Sequence, residues 1–185
     1  MSGSTWEGWL WPVPAWIDDR DPVVTDGYSN IKTPRHRRHL GVDLMYPRHP
    51  GDEAPFPWGS RGYVAPVGTL VIAAGPGRIR YAGLSPKGHD VIIDHGSVGG
   101  EEMRTYYQHL LAFARPWKVG DVVRAGEYLG PMGGDIQAGG YPLHHLHFEV
   151  RFPDFRHTRD PLPYLRRWKI LGLQGPRDPE GSPRS

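Results

Sequence analysis

The sequence predicts a mainly β protein of one domain, in which antiparallel strands form a sheet or sandwich and a short helix follows near the C-terminus. The chain has 25 glycines and 20 prolines among its 185 residues, and such frequent bends disfavour long helices. Its apolar runs are short and bounded by glycines, as in proteins built from short strands and turns. Its length suits one domain with a single hydrophobic core.

Six β-like runs carry this prediction. They are residues 68–74, 78–82, 90–94, 104–109, 121–129 and 146–151. Asp160 and Pro161 then precede the sequence LPYLRRWKIL, which predicts a short C-terminal helix because proline is favoured in the first helical turn.

The remaining segments are assigned by composition. Residues 1–20 are rich in tryptophan and proline and are predicted to be irregular, with rings that pack on the domain surface; stacking on carbohydrate is the alternative. Residues 21–173 form the predicted domain, and residues 47–63 are a Pro- and Gly-rich inserted loop within it. Residues 174–185 have almost no apolar side chains and are predicted to be a disordered tail.

Composition also excludes several classes of function. The chain has no cysteine, which excludes disulfides, thiol chemistry and cysteine-based zinc sites. Its net charge is +2 and it lacks a basic block, so we expect no nucleic-acid partner. No apolar run approaches 18 residues, and the N-terminus lacks the features of a signal peptide, so we expect neither a membrane span nor a leader.

The first candidate for chemistry is the sequence His39-Leu-Gly41-Val-Asp43. On a regular strand, His39 and Asp43 would lie about 13 Å apart, too far to share a metal ion. A turn at Gly41 would bring them together, because glycine accepts backbone angles that other residues avoid. On its own the pattern is also compatible with a structural, chemically inert segment.

The second candidate is the sequence His145-Leu-His147-Phe-Glu149. Strand side chains alternate, so Leu146 and Phe148 point to an apolar face while the two histidines and Glu149 point to the other. Such a pair of imidazoles suits a site in which one binds a metal and the other transfers protons. A solvated polar face is the alternative, and Glu149 is either a partner that orients an imidazole or a surface residue.

His109 supplies a third piece, at the end of the run 104–109. Two neutral imidazoles and one carboxylate form a suitable zinc shell. Three protein ligands leave the fourth tetrahedral position for water, as in catalytic rather than structural zinc sites. His95 lies beside Gly96 and is expected to pack in a turn.

These motifs, in this order and at these separations, resemble the lysostaphin/LytM-type zinc metallopeptidases. The similarity extends to the sequences VGTLVIAAGPG, VIIDHG and VGDVV between them. The resemblance implies a fold like the duplicated hybrid motif and one zinc ion per chain. It implies His39, Asp43 and His147 as zinc ligands, and His109 and His145 as catalytic histidines.

The resemblance also implies a function: a zinc endopeptidase that hydrolyses peptide cross-links of bacterial peptidoglycan. Its substrate would be a peptide of the cell wall, in the periplasm or outside the cell. Since no signal peptide is expected, delivery by a phage, an injection system or lysis is predicted. The alternative is a non-catalytic or architectural member of the same fold in a phage tail, an injection apparatus or a wall-remodelling complex.

Overall fold

The computed structural model describes residues 6–29, 38–52, 62–66, 68–133, 144–153 and 157–179. In chain order its elements are β1 (Val23–Asp26), β2 (Val42–Pro47), β3 (Tyr63–Val64), β4 (Leu70–Ile72), β5 (Gly77–Ser85), β6 (Gly88–Val98), β7 (Glu101–Leu110), β8 (Val122–Val123), β9 (Tyr128–Pro131), β10 (Leu146–Arg151), β11 (Thr158–Arg159), α1 (Leu162–Leu165), β12 (Ile170–Gly172) and β13 (Gly175–Arg177).

A nine-stranded antiparallel sheet organises the described part of the chain. Its strand order is β1-β2-β10-β7-β6-β5-β8, with β3 paired to β2 and β11 paired to β10. The pairs β4–β9 and β12–β13 form two small sheets. The turn between β6 and β7 is tight, because Gly99 and Gly100 both have positive φ, as the favoured two-residue hairpin turns require. The predicted mainly antiparallel β fold is confirmed.

The core lies on one face of this sheet. Leu146, Phe148 and Val150 alternate along β10 and are completely buried, and Tyr107 of β7 packs against Phe148. The alternation predicted for β10 therefore places its apolar side chains in the core.

The N-terminal tryptophans are part of that core. Trp9 stacks on Trp168, with ring centroids 4.9 Å apart, and both rings are buried. The indole N–H of Trp11 donates to the carbonyl of Leu165 at 2.8 Å, which satisfies a buried donor. The segment is irregular, as predicted, but its rings reach the interior rather than only the surface.

Three element boundaries differ from the predictions. Residues 121–129 form not one strand but β8 and β9, which belong to different sheets because a turn at Gly126, with φ of 80°, separates them. The C-terminal helix is only the four residues of α1, and the chain continues into β12. The inserted loop begins after β2 and ends at β3, and its residues 53–61 lie outside the described part.

The expectation of a disordered tail from residue 174 is wrong for residues 174–177. There a turn leads into β13, which pairs with β12. The Arg177 guanidinium binds the carboxylates of Asp19 at 2.6 Å and Asp21 at 2.5 Å. Charge pairing therefore orders a segment with few apolar side chains. No helix in the described residues is long and apolar enough to cross a membrane.

Candidate metal and catalytic site

Two neighbouring strands and one bridge place three potential metal ligands together. Asp43 of β2 and His147 of β10 lie directly opposite each other in the antiparallel pair. Facing residues of such a pair project to the same side of the sheet. His39 joins them from the segment before β2, where a backbone bridge to Ser29 holds it.

The ligand atoms of this metal cluster (His39, Asp43 and His147) form a nearly equilateral triangle. His39 Nε2 lies 3.1 Å from Asp43 Oδ1 and 3.0 Å from His147 Nδ1, and His147 Nδ1 lies 3.0 Å from Asp43 Oδ1. A tetrahedral zinc ion with bonds of about 2.0–2.1 Å separates its ligand atoms by about 3.3 Å. The triangle is therefore close to the size that zinc requires.

The other ring nitrogens of the two histidines fix their tautomers. His39 Nδ1 lies 2.7 Å from the carbonyl oxygen of Gly27, and His147 Nε2 lies 2.9 Å from Glu149 Oε1. Both partners can only accept, so these nitrogens carry the protons. The remaining nitrogens then point into the triangle, where they could bind a metal ion, as in zinc sites whose histidines are oriented by outer partners.

The charges of the cluster favour a cation at its centre. Burial opposes ionisation of Asp43, but hydrogen bonds from His147 and His39 hold the pKa of its carboxyl well below the usual value. The hydrogen bond to Asp43 raises the pKa of His39 to about 9. Without a metal ion a proton therefore occupies the triangle, and a bound zinc ion would replace it. Two nitrogens and one carboxylate oxygen around a single point are a donor set that zinc prefers.

Glu149 lies buried behind His147, so the alternative prediction that it is a surface residue is wrong. Its Oε1 binds the His147 ring, and its Oε2 accepts a hydrogen bond from Arg151 Nε at 2.6 Å. The Arg151 guanidinium lies over the ring of Tyr106, 4.0 Å from its centroid. The polar face of β10 is thus a buried network and not the solvated face of the alternative prediction.

The other two predicted site residues lie beside the metal cluster. His145 Nε2 is 3.5 Å from Asp43 Oδ1, and the rings of His145 and His109 meet edge to face with centroids 4.7 Å apart. The His109 centroid is 6.1 Å from that of His147. The structure therefore brings all five predicted residues to one side of the sheet.

His109 is held neutral and in a defined orientation. Its Nδ1 lies 3.0 Å from the carbonyl oxygen of Lys87, in the turn between β5 and β6, and this nitrogen therefore carries the proton. Burial, followed by the neighbouring His145, lowers the pKa of His109 to about 3. A neutral imidazole can accept a proton from a reacting group.

The backbone of His109 is unusual for a residue with a side chain. Its φ is 72°, in the left-handed region that non-glycine residues rarely adopt. Its carbonyl accepts a hydrogen bond from the Gly133 N–H at 3.0 Å, which helps to hold this conformation. Such outliers cluster at functional sites, where surrounding contacts maintain them.

The role predicted for Gly41 needs a correction. Gly41 is not among the glycines with positive φ, so conformational freedom is not the reason for glycine there. A Cβ at this position would instead overlap the carbonyl oxygen of Phe148 and lie 2.8 Å from Glu149 Cγ. Glycine is required because the segment from His39 to Asp43 passes directly against β10.

Several groups that orient the site residues could not be predicted from the sequence. The carbonyls of Gly27 and Lys87 act through the backbone, so their residue types reveal nothing about this role. His95 is structural, as expected: its ring lies between the Pro76 carbonyl and the Thr105 hydroxyl, each at 2.7 Å.

One protein family and several solved structures are similar to this chain. Residues 60–161 match the model of Peptidase family M23, a span that includes His109, His145 and His147 but begins after His39 and Asp43. No curated protein sequence matches the chain.

Solved structures extend the comparison. The catalytic domain of the antimicrobial peptidase lysostaphin from Staphylococcus simulans is 25% identical, with a TM-score of 0.51 over 82% of this chain and 97% of that domain. A zinc-containing peptidase from Vibrio cholerae is 23% identical, with a TM-score of 0.55, over 82% of this chain and 39% of its own. This chain therefore spans less than half of the Vibrio peptidase. The SpoIIQ–SpoIIIAH pore-forming complex contains a chain of the same fold, 20% identical, with a TM-score of 0.54, over 84% of this chain and 89% of its own.

Proposed function

Because this chain belongs to peptidase family M23, we propose that it is a zinc-dependent endopeptidase that hydrolyses peptide cross-links of bacterial peptidoglycan. The observation that carries the proposal is the convergence of three ligand atoms within 3.0–3.1 Å, beside two further histidines. Likeness to the lysostaphin catalytic domain supports the class of reaction.

His39, Asp43 and His147 would hold the zinc ion. When bound, zinc acts as a Lewis acid toward the scissile carbonyl and lowers the pKa of a water molecule. Glu149 and the Gly27 carbonyl keep the two imidazoles in the tautomers that present unprotonated nitrogens to the ion.

Proton transfer falls to His109 and His145. The sequence contains no His-Glu-x-x-His motif, so the helix-borne glutamate base of many zinc proteases is absent. Since His109 Nδ1 is engaged by Lys87, Nε2 is the atom through which this ring exchanges a proton. One of the two histidines accepts the proton of the attacking water, and the other stabilises charge on the carbonyl oxygen or protonates the leaving amine.

The proposed substrate places the protein at the cell wall, in the periplasm or outside the cell. Its partner there is a peptide of peptidoglycan. Delivery by a phage, an injection system or lysis stays a prediction.

The test is a turbidity assay on purified bacterial cell walls, with zinc content measured on the same samples. We expect the walls to clear, a chelator to stop the clearing, and added zinc to restore it. His49→Ala is the control variant, because His49 is exposed and lies outside the site. Walls that clear equally well with chelator, or in a His109→Ala variant, would contradict the proposal.

An architectural role without catalysis is the second candidate. The observation in its favour is the shared fold of the SpoIIQ–SpoIIIAH complex, which at 20% identity shows the fold alone. A chain that binds zinc but leaves cell walls and their released peptides intact would favour this role.

A further inference from the structure

A second recess is separate from the metal cluster but borders the segment that supports it, because its lining residue Tyr28 directly follows Gly27, whose carbonyl binds His39. This aromatic pocket has a volume of about 620 Å³ and is lined by three aromatic side chains (Trp6, Tyr28 and Tyr164) and by charged side chains at the start of β7, in β11 and on either side of α1. Glu101 begins β7 on the pocket side and His109 lies near the other end of that strand. At the rise of an antiparallel strand, eight residues separate them by about 27 Å.

The aromatic walls are held by contacts with one another and with the core. The rings of Trp6 and Tyr164 meet edge to face with centroids 5.3 Å apart, and the buried ring of Trp9 lies 5.4 Å behind Trp6. The Tyr28 hydroxyl donates to the carbonyl of Thr158 at 3.0 Å. All three lining rings are half-buried, so each keeps part of its surface in the pocket without needing to rearrange.

The charges of the pocket balance. Arg159 and Arg167 are matched by Glu101 and Asp160, and Arg159 Nη1 contacts both carboxylate oxygens of Glu101, at 3.0 and 2.7 Å. A polyanion such as a nucleic acid needs an excess of basic side chains. A purely aliphatic ligand would leave four charged groups desolvated. The composition therefore fits a neutral ligand with an apolar face and many hydroxyl or amide groups.

We propose that the aromatic pocket binds an N-acetylated amino sugar of a glycan strand. A pyranose ring offers an apolar C–H face to aromatic rings and a rim of hydroxyl and acetamido groups to paired charges. The volume lies in the range of ordinary ligand sites, which combine apolar walls with a few polar groups.

The source of the sugar rests on the proposed function, because peptidoglycan carries its peptides on amino-sugar strands. A glycan strand held in the aromatic pocket would keep its attached peptide cross-links near the metal cluster. Such tethering raises the effective concentration of a second contact without any new interaction at the catalytic site.

The test is an NMR titration of the full-length, zinc-loaded protein with a β-1,4-linked tetramer of N-acetylglucosamine. We expect the Trp6 indole signal to shift on binding. Trp6→Ala and Tyr164→Ala should each weaken binding about tenfold, as for the loss of one aromatic contact. Arg167→Ala should weaken it about fivefold, as for one lost hydrogen bond, and this exposed residue also serves if an aromatic variant fails to fold. The matched control is Tyr128→Ala, an exposed tyrosine outside the aromatic pocket.

The failures of the two proposals can be told apart. Absence of binding at millimolar tetramer, equal binding by all variants, or shifts confined to the metal cluster would each overturn the sugar site. If the protein clears cell walls but does not bind the tetramer in this titration, only the proposal of a sugar site is overturned. A His109→Ala variant should keep wild-type sugar affinity while losing hydrolysis, and its loss of sugar binding would show that the two sites are not separate.

Discussion

At the scale of single residues, the metal cluster depends on which ring nitrogen carries a proton. The Gly27 carbonyl and Glu149 select the tautomers of His39 and His147, and the remaining nitrogens face Asp43 within 3.1 Å. Substitution of a residue that hydrogen-bonds a ligand should therefore weaken metal binding, as substitution of a ligand itself should.

His145 and His147 should differ in effect although they are two residues apart. His147→Ala removes a ligand, so zinc content and wall hydrolysis should fall together. His145→Ala and His109→Ala should keep zinc but slow hydrolysis about 100-fold or more, as for a positioned acid or base. The measurement is zinc content and clearing rate on all three variants. The proposed division of roles between His145 and His147 is wrong if His145→Ala hydrolyses walls at the wild-type rate or loses zinc as completely as His147→Ala.

Glu149 should influence zinc affinity without touching the ion. Glu149→Ala removes the acceptor of His147 Nε2–H, and losses of such outer partners weaken metal binding about 10- to 100-fold. Glu149→Gln keeps a side-chain oxygen that can accept this bond and should lose less. Competition with a chelator gives both affinities. Unchanged affinity in Glu149→Ala would mean that the Asp43 contact alone orients the ring.

At the scale of elements, the close approach of the segment before β2 to β10 sets the site geometry. Gly41→Ala should lower both the melting temperature and the zinc content, because its Cβ would overlap the Phe148 carbonyl and displace His39 from Asp43. Gly62→Ala is the matched control, since a Cβ there has open space. Equal zinc content in the two variants would show that the segment can shift without cost to the site.

The elements also show what the sequence could and could not predict. The alternation along β10 was sufficient to separate its core side chains from His147 and Glu149, because strand periodicity is local. This alternation could not reveal that the polar face of β10 is also buried, because the burial of that face depends on neighbouring strands and on Arg151. The single strand predicted for residues 121–129 is wrong because a turn at Gly126 interrupts the run, and its two halves then pair separately with β5 and β4.

At the scale of the whole molecule, the N-terminal segment is tied to the sheet through His95. Its ring packs on Trp9, with centroids 4.7 Å apart, and bridges the Pro76 carbonyl and the Thr105 hydroxyl. Burial lowers the pKa of His95 to about 4, from an ordinary value of 6.5. Between these values the unfolded chain binds a proton that the folded protein does not.

The contribution of His95 to stability should therefore be complete above pH 6.5 and should decrease as the pH falls toward 4. The contribution of His95 to this loss is at most roughly 3 kcal/mol. A His95→Gln variant cannot titrate there, so its free energy of unfolding should change less over the same range. Denaturant unfolding of both proteins at several pH values measures the difference. Parallel curves would show that His95 does not couple folding to protonation.

The left-handed backbone of His109 implies a trade-off between stability and activity. A side chain in this conformation costs roughly 1–2 kcal/mol, whereas glycine adopts it readily. His109→Gly should therefore unfold with a free energy about 1 kcal/mol higher than His109→Ala, although neither variant has an imidazole. Equal stabilities would show that the φ of 72° carries no strain. The backbone conformation by itself would favour glycine at this position, so the imidazole of His109 is presented to the site from a backbone that is unfavourable for any side chain.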